Sequence, residues 1–145
     1  MALTHLVDTS VLTRVDTVGV RAVLSGHLRS GSAARASISD LEVGFSARNA
    51  AEWDALTTAV ATFVLIETTD AHVRRARHVQ RRLAERGLRG RKVPALLIAA
   101  AAEDHGLVVL HYDVDFDLIE EVTGQPTEWV APAGSIDRGS PMGVR

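Results

Sequence analysis

A chain of 145 residues, 46% of them hydrophobic and only four of them proline, has the size of one ordinary domain and is too apolar for disorder. It contains no cysteine, which excludes disulfides and thiolate metal sites. Its longest apolar run, residues 93–102, is too short to cross a bilayer. Because no signal peptide is visible either, we expect a cytoplasmic protein with no membrane partner. The net charge of −2 hides an asymmetry: nine of the sixteen basic residues lie between Arg74 and Lys92, whereas residues 93–136 carry eight acids and no Lys or Arg.

The chain opens with a predicted strand and two predicted helices. Residues 3–8 (LTHLVD) form a short apolar run that ends at an acid, and Thr9 or Ser10 can cap the helix that follows. A second helix is predicted over residues 17–29. Asp8 therefore lies at the carboxyl end of the first predicted strand.

A second strand and its helices follow. Residues 35–39 (RASIS) predict a short strand, and Ser39 or Asp40 is the expected cap of a helix that carries Glu42 in its first turn. Apolar residues then recur at helical spacing ahead of a β-branched strand over residues 63–66. These apolar residues are Trp53, Leu56, Val60 and Phe63.

An amphipathic, arginine-rich helix is predicted next. Its apolar stripe consists of Val73, Ala76, Val79 and Leu83, and Gly87 and Gly90 end it. The arginines on its other faces either bind the phosphates of a polyanion or form an ordinary solvated surface. The candidate phosphate contacts are Arg74, Arg75, Arg81 and Arg82.

A helix that is apolar nearly all round begins at Pro94 and stops at Gly106, so we expect it at the centre of the fold. Residues 107–110 (LVVL) predict a fully buried strand. Asp113 and Asp115 follow just beyond the end of that strand, as Asp8 does at the first.

A helix over residues 116–122 and a strand over residues 127–130 complete the predicted elements. Strands separated by helices predict an α/β domain with a parallel sheet covered on both faces, and such sheets bind ligands beyond the carboxyl ends of their strands. We expect the domain to span residues 1–132 and the Gly/Ser/Pro-rich residues 133–145 to form a flexible tail.

Four acids lie beside hydrophobic runs, where strands or helices should end: Asp8, Glu42, Asp113 and Asp115. Carboxylates that converge out of water repel one another, so a cation must compensate them, and oxygen ligands favour Mg²⁺ or Mn²⁺. The alternative is that Asp8 only caps a helix and that Asp40, near Glu42, complements a helix dipole.

Four sequence blocks carry a resemblance to a known family: LVDTSVL, ISDLEVGFSAR, PALLIAAAAEDHGLVVLHYDVDFDLI and EVTGQPTEWV. Together, and in this order, they resemble the PIN-domain ribonuclease toxins of the VapC type, mycobacterial members included. The resemblance implies a three-layer α/β/α sandwich around a parallel sheet and a Mg²⁺- or Mn²⁺-dependent endoribonuclease that cleaves structured RNA, tRNA or rRNA. It also implies a VapB-type antitoxin that inhibits the enzyme, and a homodimer.

The same resemblance assigns roles to the acids. Asp8, Glu42, Asp113 and Asp115 match the family's acidic positions, and Ser10 matches its small hydroxyl near the metal. We expect Asp8 and Asp113 to bind the ion directly and the other two acids to orient water.

One position departs from the family pattern. The family's central helix usually begins with an aspartate, as in P-D-x-L-I-A, whereas this chain has Ala95 in PALLIAA. The eighteen-residue interval from Ala95 to Asp113 keeps the family's register. Of two explanations, natural degeneration or an engineered Asp→Ala change, we favour the second, and under either we expect weak metal binding and slow or absent catalysis.

Two other classes of protein share features with this sequence. A phosphoreceiver domain also gathers acids and Mg²⁺ at the ends of parallel strands, but it typically needs a lysine at a late strand end, whereas the only lysine here, Lys92, is predicted in a loop. A non-catalytic binding module that acts through its antitoxin is compatible with the missing acid at Ala95.

Overall fold

A computed structural model describes residues 2–136, in which strands and helices alternate along the chain. The strands are β1 (His5–Val7), β2 (Ala33–Ala36), β3 (Val64–Ile66), β4 (Val108–His111) and β5 (Thr127–Trp129). The helices are α1 (Thr9–Leu12), α2 (Val18–Ser30), α3 (Ser37–Phe45), α4 (Ala50–Val60), α5 (Asp70–Glu85), α6 (Val93–His105) and α7 (Asp115–Thr123).

The five strands form one parallel sheet in the order β3-β2-β1-β4-β5. Successive side chains of a strand point to opposite faces, so Leu6 joins a core beneath α5, α6 and α7, while Val7 joins a second core with α1 to α4. The predicted three-layer α/β/α sandwich is therefore confirmed. Because β1 and β4 are neighbours with Val7 opposite Leu110, the residues that follow both strands meet at one edge of the sheet.

Helix α6 is the central helix, as its uniformly apolar sequence predicted. It packs against α5, α7, β1 and β4, and Ala95, Leu96, Ile98 and the alanines of its second half are buried. Gly106 ends it with a φ of 66°, a left-handed conformation that glycine adopts without steric cost. Its start at Val93 brings Ala95 into the first turn.

The start of α3 differs from the prediction. β2 ends at Ala36, so residues 37–39 are helical, Ala36 is the cap, and Glu42 lies in the second turn. Tertiary hydrogen bonds explain the shift, because the Ser37 hydroxyl donates to Thr68 Oγ1 at 3.1 Å and accepts from Thr68 N–H at 2.8 Å. Asp40 lies in the first turn of α3, where its charge complements the helix dipole, and it also pairs with Arg35 at 2.7 Å.

The prediction of the apolar stripe of α5 was partly wrong. Val73 is 44% exposed, and His72 takes its place on the buried face at 2% exposure. This histidine is retained there by polar partners: its Nδ1 accepts the Thr69 N–H at 3.2 Å, and its Nε2 lies 3.0 Å from Asp104. A hydrophobic pattern alone does not reveal a buried polar residue that is fully hydrogen-bonded.

The end of the described chain packs on the domain. Ile136 donates its N–H to Tyr112 Oη at 2.9 Å and contacts the core of Val7 and Leu110. Residues 137–145 of the predicted flexible tail lie outside the described residues. Among residues 2–136, none of the helices is both long and apolar enough to cross a membrane.

Candidate functional site

A cleft of about 550 Å³ opens at the edge where the strands end. Its walls include Asp8, Ser10, Glu42, Lys92, Ala95 and Asp113. The structure therefore brings together three of the four predicted acids and the hydroxyl expected beside them. Asp115 does not line this cleft.

Asp8 occupies the deepest position among these acids. It follows β1, is 5% exposed, and accepts hydrogen bonds at Oδ2 from the Ser10 N–H (2.9 Å) and the Ser10 hydroxyl (2.6 Å). Burial raises the pKa of Asp8 to about 6 against the opposing effect of the Ser10 hydrogen bonds, and the charges of Glu42 and Asp113 raise it further. Asp8 does cap α1, as the alternative interpretation held, and it also faces two other carboxylates.

Ser10 connects the two central strand ends. Its hydroxyl donates to Asp8 and accepts the backbone N–H of Tyr112 at 2.8 Å. Tyr112 follows β4 directly, so this hydroxyl fixes the segment that carries Asp113 against the end of β1. The expected supporting role of Ser10 thus has a structural basis in the chain itself.

Thr9 orients Glu42, a contact that sequence reasoning missed. The Thr9 hydroxyl lies 2.5 Å from Glu42 Oε1 and 2.8 Å from Ser39 Oγ. A hydroxyl has one proton, so if Thr9 donates to the carboxylate, Ser39 donates to Thr9. Because Ser39 is fully buried, this chain of hydroxyls holds Glu42 toward the cleft from within the fold.

Asp113 is held on both of its oxygens. Oδ1 accepts the backbone N–H of Asp115 at 3.0 Å, and Oδ2 lies 2.5 Å from the ammonium of Lys92. Burial alone would lower the pKa of Lys92, but the hydrogen bond and the charges of Asp113 and Asp115 outweigh it, so the pKa is raised. Lys92 does precede α6 in a loop, yet its ammonium reaches the acids, which the sequence pattern did not indicate.

Asp115 has a different environment from the other acids. It is 6% exposed, and its carboxylate accepts from Arg91 Nη1 at 2.9 Å and from the backbone N–H of Lys92 at 3.1 Å. These contacts fix the segment before α6 to the start of α7. His111 ends β4, and its Nδ1 accepts the Asp113 N–H at 3.1 Å.

Ala95 lines the cleft from the first turn of α6 and is 4% exposed. It is the third helical residue, after Val93 and Pro94. Acidic side chains are favoured in this turn because the helix dipole is positive there. An aspartate at this position is therefore compatible with the local structure.

The donor chemistry of the cleft fits a hard divalent cation. The carboxylates of Glu42 and Asp113 are close enough to Asp8 to raise its pKa, and oxygen ligands are what Mg²⁺ and Mn²⁺ prefer. Both hydrogen bonds that Ser10 donates to Asp8 end on Oδ2, and within residues 2–136 the other oxygen, Oδ1, accepts no hydrogen bond. That oxygen is available to a cation.

A second group could also hold an ion. The side chains of His72, Asp104 and His105 offer three ligand atoms within 4.8 Å of one another. However, His72 Nδ1 accepts the Thr69 N–H, so the proton of the neutral ring is on Nε2 and faces Asp104. An ion on Nε2 would displace that proton and disrupt the cap of α5, so this group is better explained as a hydrogen-bonded contact between α5 and α6.

The arginines of α5 differ in their surroundings. Arg75 pairs with Glu103 at 2.7 Å and Arg81 with Glu85 at 2.8 Å. Arg74, Arg77 and Arg81 line a shallow groove together with His78, whereas Arg75 and Arg82 do not. Arg77 was not among the candidates chosen from the sequence.

The sequence is similar to curated ribonucleases. It is 58% identical to Ribonuclease VapC51 of Mycobacterium tuberculosis over 94% of this chain and 100% of that protein. It is 39% identical to Ribonuclease VapC21 of the same species over 93% of this chain and 99% of that protein. No protein-family model matches the sequence.

Solved structures show the same fold. A DNA-bound VapBC from Salmonella typhimurium matches with a TM-score of 0.70 at 16% identity, covering 89% of this chain and 99% of that one. VapBC2 from Rickettsia felis, bound to a promoter DNA fragment, matches with a TM-score of 0.73 at 14% identity, covering 89% and 98%. These comparisons and the identity to the mycobacterial proteins agree, and the chain belongs to the VapC family of PIN-domain ribonucleases.

Proposed function

We propose that this chain is the toxin of a type II toxin–antitoxin pair and that its cleft is the active site of a Mg²⁺- or Mn²⁺-dependent endoribonuclease. The observation that carries the proposal is the convergence of Asp8, Glu42 and Asp113 in one cleft, close enough that two of them raise the pKa of the third. The 58% identity to a curated ribonuclease supports the same activity. Structured RNA, tRNA or rRNA, is the proposed substrate.

The residues of the cleft divide the chemical work. Asp8 and Asp113 would hold the ion, whose chemistry is to activate water and to stabilise charge on phosphoryl oxygens. Ser10 fixes Asp8 and the segment of Asp113 in one geometry. Glu42, oriented by Thr9, accepts a hydrogen bond from the attacking water and can hold its proton.

Asp115 has a positioning role in this proposal. Its backbone N–H donates to Asp113, and its carboxylate anchors the residues before α6 through Arg91 and the Lys92 N–H. We predicted from the sequence that Asp115 orients water; its contacts favour an indirect contribution through Asp113.

The alanine at position 95 bears on activity. Without a carboxylate in the first turn of α6, the cleft has three acids, and Lys92 already neutralises one of them. We therefore propose weak metal binding and impaired cleavage for this chain. A non-catalytic role, in which the protein acts by binding its antitoxin, is the second candidate, and Ala95 is the observation that favours it.

The proposed partner is a VapB-type antitoxin, and a homodimer is proposed as well. Apolar side chains are exposed on two adjacent helices: Leu41 and Phe45 on α3 and Trp53 on α4, with Phe45 at 91% exposure. The helices pack closely, since a Cβ added at Gly44 would lie 2.7 Å from Trp53 Nε1. An amphipathic segment of the antitoxin can bind such a surface with its apolar face.

Phe45→Glu is expected to weaken antitoxin binding at least about 30-fold, because a charge would replace an aromatic anchor of the interface. The matched control is Val18→Glu on α2, also an exposed apolar residue, which should leave the affinity unchanged. Titration calorimetry with the co-expressed antitoxin measures both. If the two variants bind the antitoxin with equal affinity, the antitoxin binds a different surface.

RNA binding by α5 is tested through its salt dependence. Arg74→Gln with Arg77→Gln should lower the slope of log affinity against log salt by roughly 1.4 to 1.8, since each lost phosphate contact contributes about 0.7 to 0.9. Filter binding in Mg²⁺ at several salt concentrations provides the slope. The control is Arg29→Gln on α2, and a slope that neither variant changes would make the arginine surface an ordinary solvated one.

A further inference from the structure

Lys92 is the only lysine in the chain, and its ammonium lies where the acidic cleft needs a cation. Its side chain is 61% exposed, whereas that of Asp113 is 15% exposed. The lysine is thus the partner that can move. Arg91 differs, because its side chain is 25% exposed and its guanidinium also donates to the Arg89 carbonyl while it pairs with Asp115.

Each oxygen of Asp113 already has a hydrogen-bond partner while Lys92 is bound. Oδ1 accepts a backbone N–H that is fixed by the start of α7, and Oδ2 is 2.5 Å from the ammonium. A divalent ion at Oδ2 and an ammonium at the same atom would repel each other strongly in a partly buried cleft. An ion that binds Asp113 at Oδ2 therefore displaces Lys92.

We propose that Lys92 is an exchangeable counter-ion: its ammonium holds Asp113 in the metal-free protein, leaves when a divalent cation takes that carboxylate, and then binds a phosphate of the RNA in the cleft. The inference rests on the proposed function, because it assumes that the acidic cleft binds both the cation and the RNA.

The chemistry of lysine suits both positions. A compact ammonium on a flexible four-carbon stem can pair with a carboxylate or with a phosphate as a point charge. Lys92 lines the same cleft as Asp8 and Glu42, so the released ammonium remains beside the place where the scissile phosphate would lie. The lysine would neutralise the acids before the metal arrives and the substrate afterwards.

A single lysine allows a direct measurement. Protein grown with ¹³C,¹⁵N-lysine gives one ¹⁵Nζ signal, which should shift in a saturable way when Mg²⁺ is added and should not shift with NaCl at equal ionic strength. Asp113→Asn should move the signal in the same direction without any metal, because the ammonium then keeps only its longer contact of 3.6 Å to Asp115. If the Lys92 signal does not shift although the backbone amides of Asp8 and Asp113 respond to Mg²⁺ in uniformly ¹⁵N-labelled protein, the exchange is overturned.

Variants test the competition independently. Lys92→Met should tighten Mn²⁺ binding by about two- to five-fold, because a partly exposed ion pair no longer has to be broken, while Lys92→Arg should retain the affinity of the unmodified chain. Arg89→Met, which removes the same charge from the same loop without contacting Asp113, is the control and should change the affinity much less. Electron paramagnetic resonance of free Mn²⁺ gives the constants.

Lys92→Met should have the opposite effect on RNA affinity. In Mg²⁺, Lys92→Met should bind RNA more weakly and lower the salt slope by about 0.7 to 0.9, and Lys92→Arg should preserve both. If Mn²⁺ binds neither the unmodified chain nor Lys92→Met, the proposed function and the exchange both fail. If Mn²⁺ binds and Lys92→Met behaves like Arg89→Met in metal and RNA affinity, the exchange alone fails.

Discussion

Ala95→Asp is expected to restore metal-dependent RNA cleavage and to make the protein toxic to a bacterial host that lacks the antitoxin. The new carboxylate would enter the cleft from the first turn of α6, where the helix dipole favours negative charge, and would face Asp8 and Asp113. Loss of even an outer partner of a metal ligand costs roughly 10–100-fold in affinity or activity, so the gain should reach at least that range. Cleavage of total bacterial RNA with and without Mg²⁺ measures it.

Three variants keep this result interpretable. Ala95→Asn introduces the same shape without the charge and should remain inactive, which separates ligand chemistry from packing. Asp8→Asn and Asp113→Asn, each combined with Ala95→Asp, should abolish the restored cleavage. If Ala95→Asp is folded and binds metal but cuts no RNA under conditions where a related VapC ribonuclease does, the binding-module function replaces the nuclease.

Much of the fold could be predicted because its signals are local. The all-round apolar sequence of α6, its Pro94 start and its Gly106 stop reflect burial and backbone geometry that a single segment encodes. The positions of Asp8 and Asp113 could also be predicted, since they lie one and two residues beyond the ends of buried strands, and parallel strands end at one edge. The start of α3 did not follow, because Thr68 determines it from a distant part of the chain.

The detailed site depends on pairings between distant residues, which a single sequence does not display. Asp113 and Asp115 are equivalent in the sequence pattern, yet one lines the cleft and the other is buried against Arg91. Thr9 and Glu42 are thirty-three residues apart and share a hydrogen bond. The sequence does carry one signal for the pairing of Lys92 with the acids: the only lysine of a strongly basic segment immediately precedes the central helix.

Asp8 illustrates how the site opposes the stability of the fold. Its pKa is about 6 in the folded protein against an ordinary value of 3.8, mainly because of burial. A carboxyl with a raised pKa favours the folded state when it is protonated, so this contribution is complete below pH 3.8 and is lost as the pH rises through 6. A pKa difference of about 2 between the folded and unfolded states corresponds to about 3 kcal/mol in the free energy of unfolding. The metal-free protein does not have this stabilisation at neutral pH.

Asp8→Asn is therefore expected to stabilise the metal-free protein at pH 7.5 by about 1 to 3 kcal/mol, since the amide is never charged and its oxygen can still accept from Ser10. The gain should disappear near pH 4, where Asp8 is largely protonated in the folded state.

Mn²⁺ should raise the melting temperature of the unmodified chain and not that of Asp8→Asn, because the variant lacks the ligand. Urea unfolding between pH 4 and 8, with the exposed Asp54→Asn as control, measures the free energy of unfolding. An Asp8→Asn protein that is less stable than the unmodified chain at pH 7.5 without metal would mean that the Asp8 charge is already compensated within the fold.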